Sequence, residues 1–136
     1  MLKVDFTNDR VFGFDGPNLC LLGNESDFRK LAESLLELMD GNKPGRIDIA
    51  KLDFAKIEGE EKRILFLSKN GANSLGIINS AGDLIFELDS RVWERLFPYF
   101  VLMSWDKKTY YLNEYENGLN DLGLEQECNF ICSSEF

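Results

Sequence analysis

The chain has 136 residues, enough for one domain with one core, and it is 44% hydrophobic and 12% aromatic, far more apolar than a disordered acidic segment. Its 24 acidic and 15 basic side chains leave a net charge of -9, which repels phosphates and anionic headgroups and argues against direct nucleic-acid or membrane binding. Three cysteines, an odd number, and an opening MLKVDFTND without the basic and apolar regions of a secretory signal predict a reducing, cytoplasmic compartment, and the longest apolar run, residues 99–103, is far shorter than the span of about 18 that crosses a membrane.

Leu2, Val4 and Phe6 alternate with other residues, Thr7, Asn8 and Asp9 offer a turn, and residues 11–14 resume the strand pattern, so an amino-terminal hairpin is expected. Gly16, Pro17 and Asn18 punctuate the chain before a short apolar run at 19–22. Phe28, Leu31, Ala32, Leu35, Leu36 and Met39 then mark one face of a helix, with Ser26 as its expected N-cap, Gly41 as its stop, and Lys30, Glu33 and Glu37 on the solvent side. Ile47 and Ile49 fall in the opposite strand phase from Leu52 and Phe54, which implies a break near Ala50. A charged turn at 58–61 leads into the apolar strand 64–67. Asn70-Gly71 is a turn signal, and strands at 75–78 and 84–88 complete a meander. Short turns of this kind predict mainly antiparallel pairing.

A second helix begins near Ser90 with Val92, Trp93, Leu96 and Phe97 as its apolar face, until Pro98 ends it, kinks it or opens a new turn. Residues 107–115 read as a strand, 117–124 as a loop or short helix, and 128–132 as a closing strand. The expected architecture is a single α+β domain over residues 1–136: a mainly antiparallel twisted sheet with two principal helices packed on one side. Leu31, Leu35, Phe66, Ile85, Trp93 and Phe97 are its expected core.

The chain has no histidine, the usual general base near neutral pH, which excludes serine triads, His-paired cysteine nucleophiles and His-dependent zinc sites. Gly71 and Gly76 have the first spacing of a phosphate loop, but Ile77 and Ile78 stand where Lys and Ser/Thr are required. Asp48, Asp53 and the 58–61 cluster do not match a calcium loop. Cys128 and Cys132 are four apart, not the spacing of a redox or zinc motif, and in a strand they share a face as small apolar residues. A carboxylate pair such as Glu114 and Glu116 arises easily by chance among 24 acids, so a carboxylate-based hydrolase ranks last among the readings. No catalytic residue, metal or cofactor is expected.

Segment 105–117 differs in kind, because it interleaves aromatics, which bury large areas at low entropic cost, with carboxylates and amides that pair with Arg or Lys. After Lys108 the chain has Glu114, Glu116, Asp121, Glu125, Glu127 and Glu135 but no Lys or Arg. Tyr111, Glu114, Tyr115, Glu116 and Asp121 are therefore the expected partner-binding residues, with Tyr110 and Leu112 assigned to the core. The alternative is an ordinary amphipathic strand beside a solubilising acidic edge.

In size, acidity, cysteine usage, lack of catalytic motifs and the Tyr-plus-carboxylate segment 105–127, the chain resembles the immunity proteins encoded beside bacterial polymorphic or contact-dependent growth inhibition toxins. The resemblance implies a non-catalytic protein that binds one cognate toxin domain, often a basic nuclease, and blocks its active site or substrate surface. A second reading is a regulatory or assembly subunit that recognises a peptide or a sheet edge.

Overall fold

The computed structural model describes residues 1–59, 63–112 and 124–136. β1 (Leu2–Thr7) buries Leu2 and Val4 on one face, as period-two alternation requires, and pairs antiparallel with β2 (Asn18–Leu22). The expected hairpin partner, residues 11–14, instead forms the tip of the connection. There Val11 and Phe14 exchange two backbone hydrogen bonds of 2.9 Å around Phe12 and Gly13, at φ 50° and 85°. Two consecutive positive φ angles are what a tight two-residue hairpin turn demands, and the glycine adopts one of them without steric cost. The buried Asn18 holds this loop, its amide donating to the carbonyl oxygens of Asp9 and Phe14 at 3.0 Å each.

Helix α1 (Glu25–Leu35) is capped by Asn24, not Ser26. The Asn24 side chain accepts the Asp27 N–H at 3.0 Å while the Asp27 carboxylate accepts the Asn24 N–H at 3.1 Å, a reciprocal capping box. Phe28, Leu31, Ala32 and Leu35 are buried as the periodicity predicts. The helix then tightens into a 3-10 turn, Leu36–Met39, before Gly41. With three residues per turn, Leu38 swings into the core and Leu36 out to solvent, reversing the expectation for Leu36.

The break expected near Ala50 is present. β3 (Gly45–Asp48) gives way to a 3-10 turn, Ile49–Lys51, whose Ala50 N–H is accepted by the Asp48 carboxylate at 3.1 Å, and β4 (Ala55–Glu58) follows in a different sheet. β5 (Ile64–Ser68), β6 (Asn73–Ile78) and β7 (Leu84–Leu88) come next, then α2 (Ser90–Met103), capped by Asp89 and running through Pro98 without ending there. β8 (Thr109–Tyr111), β9 (Glu125–Gln126) and β10 (Asn129–Ser133) complete the chain.

Among the described residues these strands form two five-stranded sheets, ordered β4-β1-β2-β10-β8 and β3-β5-β7-β6-β9. The α+β class with two helices is as the sequence predicts, but pairing is mixed, with four parallel contacts: β1 with β4, β2 with β10, β5 with β7, and β6 with β9. The reason is physical. A short turn forces antiparallel pairing only between strands consecutive in the chain and adjacent in the sheet, and here those are β1–β2 and β6–β7. Strands 64–67, 75–78 and 84–88 are not a meander either, since β7 inserts between β5 and β6.

Both sheets and both helices share one core. Phe130 of the first sheet meets Phe86 and Phe66 of the second at ring-centre distances of 4.8 and 5.9 Å and Phe100 of α2 at 6.3 Å, while Phe100 stacks on Phe28 of α1 at 6.5 Å. Trp93 is fully packed, and its indole N–H donates to the Leu67 carbonyl at 2.9 Å. Two expected core residues are less buried than expected, although Phe97 still packs against the core. Ile85 is half-buried because β7 turns Leu84, Phe86 and Leu88 inward, and Phe97 is half-buried because a helix continuing past Pro98 presents Phe100 and Met103 to the core instead.

β6 carries a bulge between Leu75 and Ile77, with Gly76 at φ 78°, and a Cβ on Gly76 would lie 2.5 Å from the Cys128 sulfur. Gly76→Ala is therefore expected to lower stability by about 2–4 kcal/mol, from left-handed backbone strain plus overpacking. Gly82→Ala, at φ 85° with nothing within 4 Å, carries the backbone cost alone and should lose about 1–2 kcal/mol. Urea denaturation of both variants checks the difference.

Candidate partner-binding face

β8 places the expected site at the edge of the first sheet by pairing antiparallel with β10, Tyr110 opposite Cys132 and Tyr111 opposite Ile131. Alternation turns the two tyrosines to opposite faces. Tyr110 faces the core, 5.0 Å from the Tyr99 ring, and the following Leu112 is fully buried, its N–H donating to the Phe130 carbonyl at 2.8 Å. Tyr111 lies on the outer face, half-buried against Phe14 at 4.9 Å and Phe12 at 6.5 Å. Phe12, on the hairpin tip that Asn18 secures, is 46% exposed. The outer face at β8 thus carries an aromatic cluster of three rings with one open to solvent.

Of the other expected residues, Glu114, Tyr115, Glu116 and Asp121 lie outside the described residues. The acids beyond them are on the surface. Glu125 and Glu127 are exposed, and the Glu127 carboxylate accepts the Ile78 N–H at 2.9 Å, fastening the bend after β9 to β6. Glu135 is exposed and accepts a hydrogen bond from the Thr109 hydroxyl of β8.

A second exposed group sits at the end of α2, where Trp105 opens the segment 105–117 singled out from the sequence. Trp105 is 75% exposed, with Val101 and Leu102 also on the surface. The loop that carries Trp105 is held firmly. The Ser134 hydroxyl donates to the Asp106 carbonyl at 2.7 Å and accepts the Lys108 N–H at 2.9 Å, the Ser134 N–H donates to the Lys108 carbonyl, and Lys107 lies 3.3 Å from the Glu25 carboxylate. A large aromatic on an anchored loop loses little conformational entropy when a partner covers it. The signal was present in the helical period, which places 101 and 102 opposite Phe100 and Met103 once the helix is carried past Pro98.

The cysteines are buried and reduced. Desolvation pushes the Cys20 thiol up to about 11, with the Asp5 charge adding to it, and the Cys128 thiol up to about 12, with Glu127 and Cys20 adding; Cys132 is raised well above its ordinary value by burial. Since the thiolate is the reactive form, all three are inert at neutral pH. A thiol whose pKa rises on folding costs nothing below its unfolded value and withdraws stability as pH climbs from there towards the folded one. The denaturation midpoint should fall as pH rises from about 9 to 12, less steeply in Cys128→Ala than in the parent. Equal slopes would contradict the assignment.

Among the described residues no group of three or more Cys, Asp or Glu is placed to hold a metal ion, and no helix is long and apolar enough to cross a membrane. Compared with known proteins, the chain matches no protein-family model, no curated protein and no solved structure.

Proposed function

We propose that this chain is a cytoplasmic, non-catalytic immunity protein that binds and neutralises a cognate basic toxin domain of the nuclease type. The observation that carries the reading is the closing segment, which has six acids and no Lys or Arg after Lys108. Its described flanks are β8, at the edge of one sheet, where Tyr111 packs against the exposed Phe12, and β9, at the edge of the other. A nuclease must present a positive surface to phosphates, and fixed carboxylates occupy such a surface while complementary charge speeds encounter. The exposed Trp105 adds an apolar anchor of the kind that dominates interface energies.

The test is complex formation with the carboxy-terminal domain of the protein encoded beside this chain. A stoichiometric complex is expected on size-exclusion chromatography, with association slowing as salt rises past physiological strength, where the Debye length falls below about 8 Å. Trp105→Ala should shorten the lifetime of the complex. The absence of any complex at low salt would refute the proposal.

A further inference from the structure

Three cavities join where residues 41–44, the turn between β5 and β6, and the start of α2 converge, the first of them reaching Leu124 beside β9. One, of about 340 Å³, is lined in part by Gly71, Asp89, Arg91 and Arg95. A second, of about 580 Å³, shares Gly71, Asp89 and Arg91 with it and adds Gly41 and Asn70. A third, of about 230 Å³, shares Gly41 and Asn70 with the second and adds Lys43 and Lys69. The result is one groove with two arginines at one end and two lysines at the other, of a size that accepts small molecules.

Asp89 is the one acid among the described lining residues, and it is already engaged. Its carboxylate accepts the N–H of Gly71 at 2.9 Å and of Arg91 at 3.0 Å, and lies 3.8 Å from the Arg91 guanidinium. Because Asp89 occupies the cap of α2, the groove's attraction for anions comes from side chains and not from the helix end. Among the described residues Lys43, Lys69 and Arg95 form no ion pair. On a chain of net charge -9, three cations unpaired among the described residues around one concavity run against the overall balance.

We propose that this groove binds a small ligand bearing two anionic groups, phosphate or carboxylate, one taken by Arg91 and Arg95 and the other by Lys43 and Lys69. Arg91 and Arg95 are one helical turn apart, so their guanidinium groups can converge on one anionic group with the paired hydrogen bonds that suit carboxylate and phosphate oxygens. The lysines act as point charges at the other end. A long polyanion would extend beyond the groove over a chain of net charge -9, whereas a small ligand stays within it.

Isothermal titration of the full chain with inorganic triphosphate and, separately, with citrate tests the proposal. Saturable one-to-one binding of at least one probe is expected, weakened about tenfold or more in both R91A/R95A and K43A/K69A and unchanged in Arg29→Ala, a surface cation of α1. Triphosphate alone binding assigns phosphate, citrate alone assigns carboxylate, and both binding shows that the two-ended charge suffices. Unchanged far-ultraviolet circular dichroism and denaturation midpoints establish that the variants fold. Binding of neither probe overturns the proposal, as does parent-like affinity in either double variant, which would leave one end of the groove without a role.

Discussion

Replacing Phe130 by Ala is expected to lower the stability of the chain by about 3–5 kcal/mol, the cost of truncating a fully buried aromatic. Phe130 sits on a central strand of the first sheet and reaches Phe66 and Phe86 of the second as well as Phe100 of α2. The cavity would open where three elements meet, so no single one can collapse into it. Phe12→Ala, which removes a ring 46% exposed on a hairpin tip, should cost less than about 1 kcal/mol. Urea denaturation of the two variants measures the contrast, and a similar loss for both would show that the two sheets do not share the core described.

The second large effect concerns recognition. Reversing Glu114 and Glu116 to Lys should weaken binding to a basic partner by about 3 kcal/mol or more, since each reversal removes an attraction and installs a repulsion. The same reversal at Glu33 and Glu37, exposed on α1 and the turn after it, should change affinity by less than about 1 kcal/mol. Calorimetric titration of both double variants against the partner decides between them. Equal affinities would reduce the acidic segment to a solubilising edge.

What could be read from the sequence was local. The inner face of α1 followed from the 3.6-residue period of Phe28, Leu31 and Leu35, and the break near Ala50 followed from the phase change between Ile49 and Leu52. The opposite orientations of Tyr110 and Tyr111 and the burial of Leu112 follow from alternation alone. Ile85 was misplaced although the alternation was clear, because Glu87 already marked its face as the outer one.

What could not be read depended on partners distant in the chain. The division into two sheets arises because the chain crosses repeatedly from one to the other, placing β4 beside β1 and β10 beside β2, and no turn signal encodes such pairings. The buried Asn18 has the composition of a loop residue, and its role appears only when Asp9, Phe14 and Asn129 surround it. Val101 and Leu102 were hidden because the sequence leaves Pro98 as an end, a kink or a new turn, and only a helix carried through it has the period that places them on the surface.

The central claim, that the closing acidic segment neutralises a toxic basic domain, is tested most directly by growth of cells expressing the carboxy-terminal domain encoded beside this chain. Co-expressed parent chain and E33K/E37K should restore growth, whereas E114K/E116K, present at equal soluble level, should not. Failure of the parent to protect, or equal protection by all three, would contradict the account.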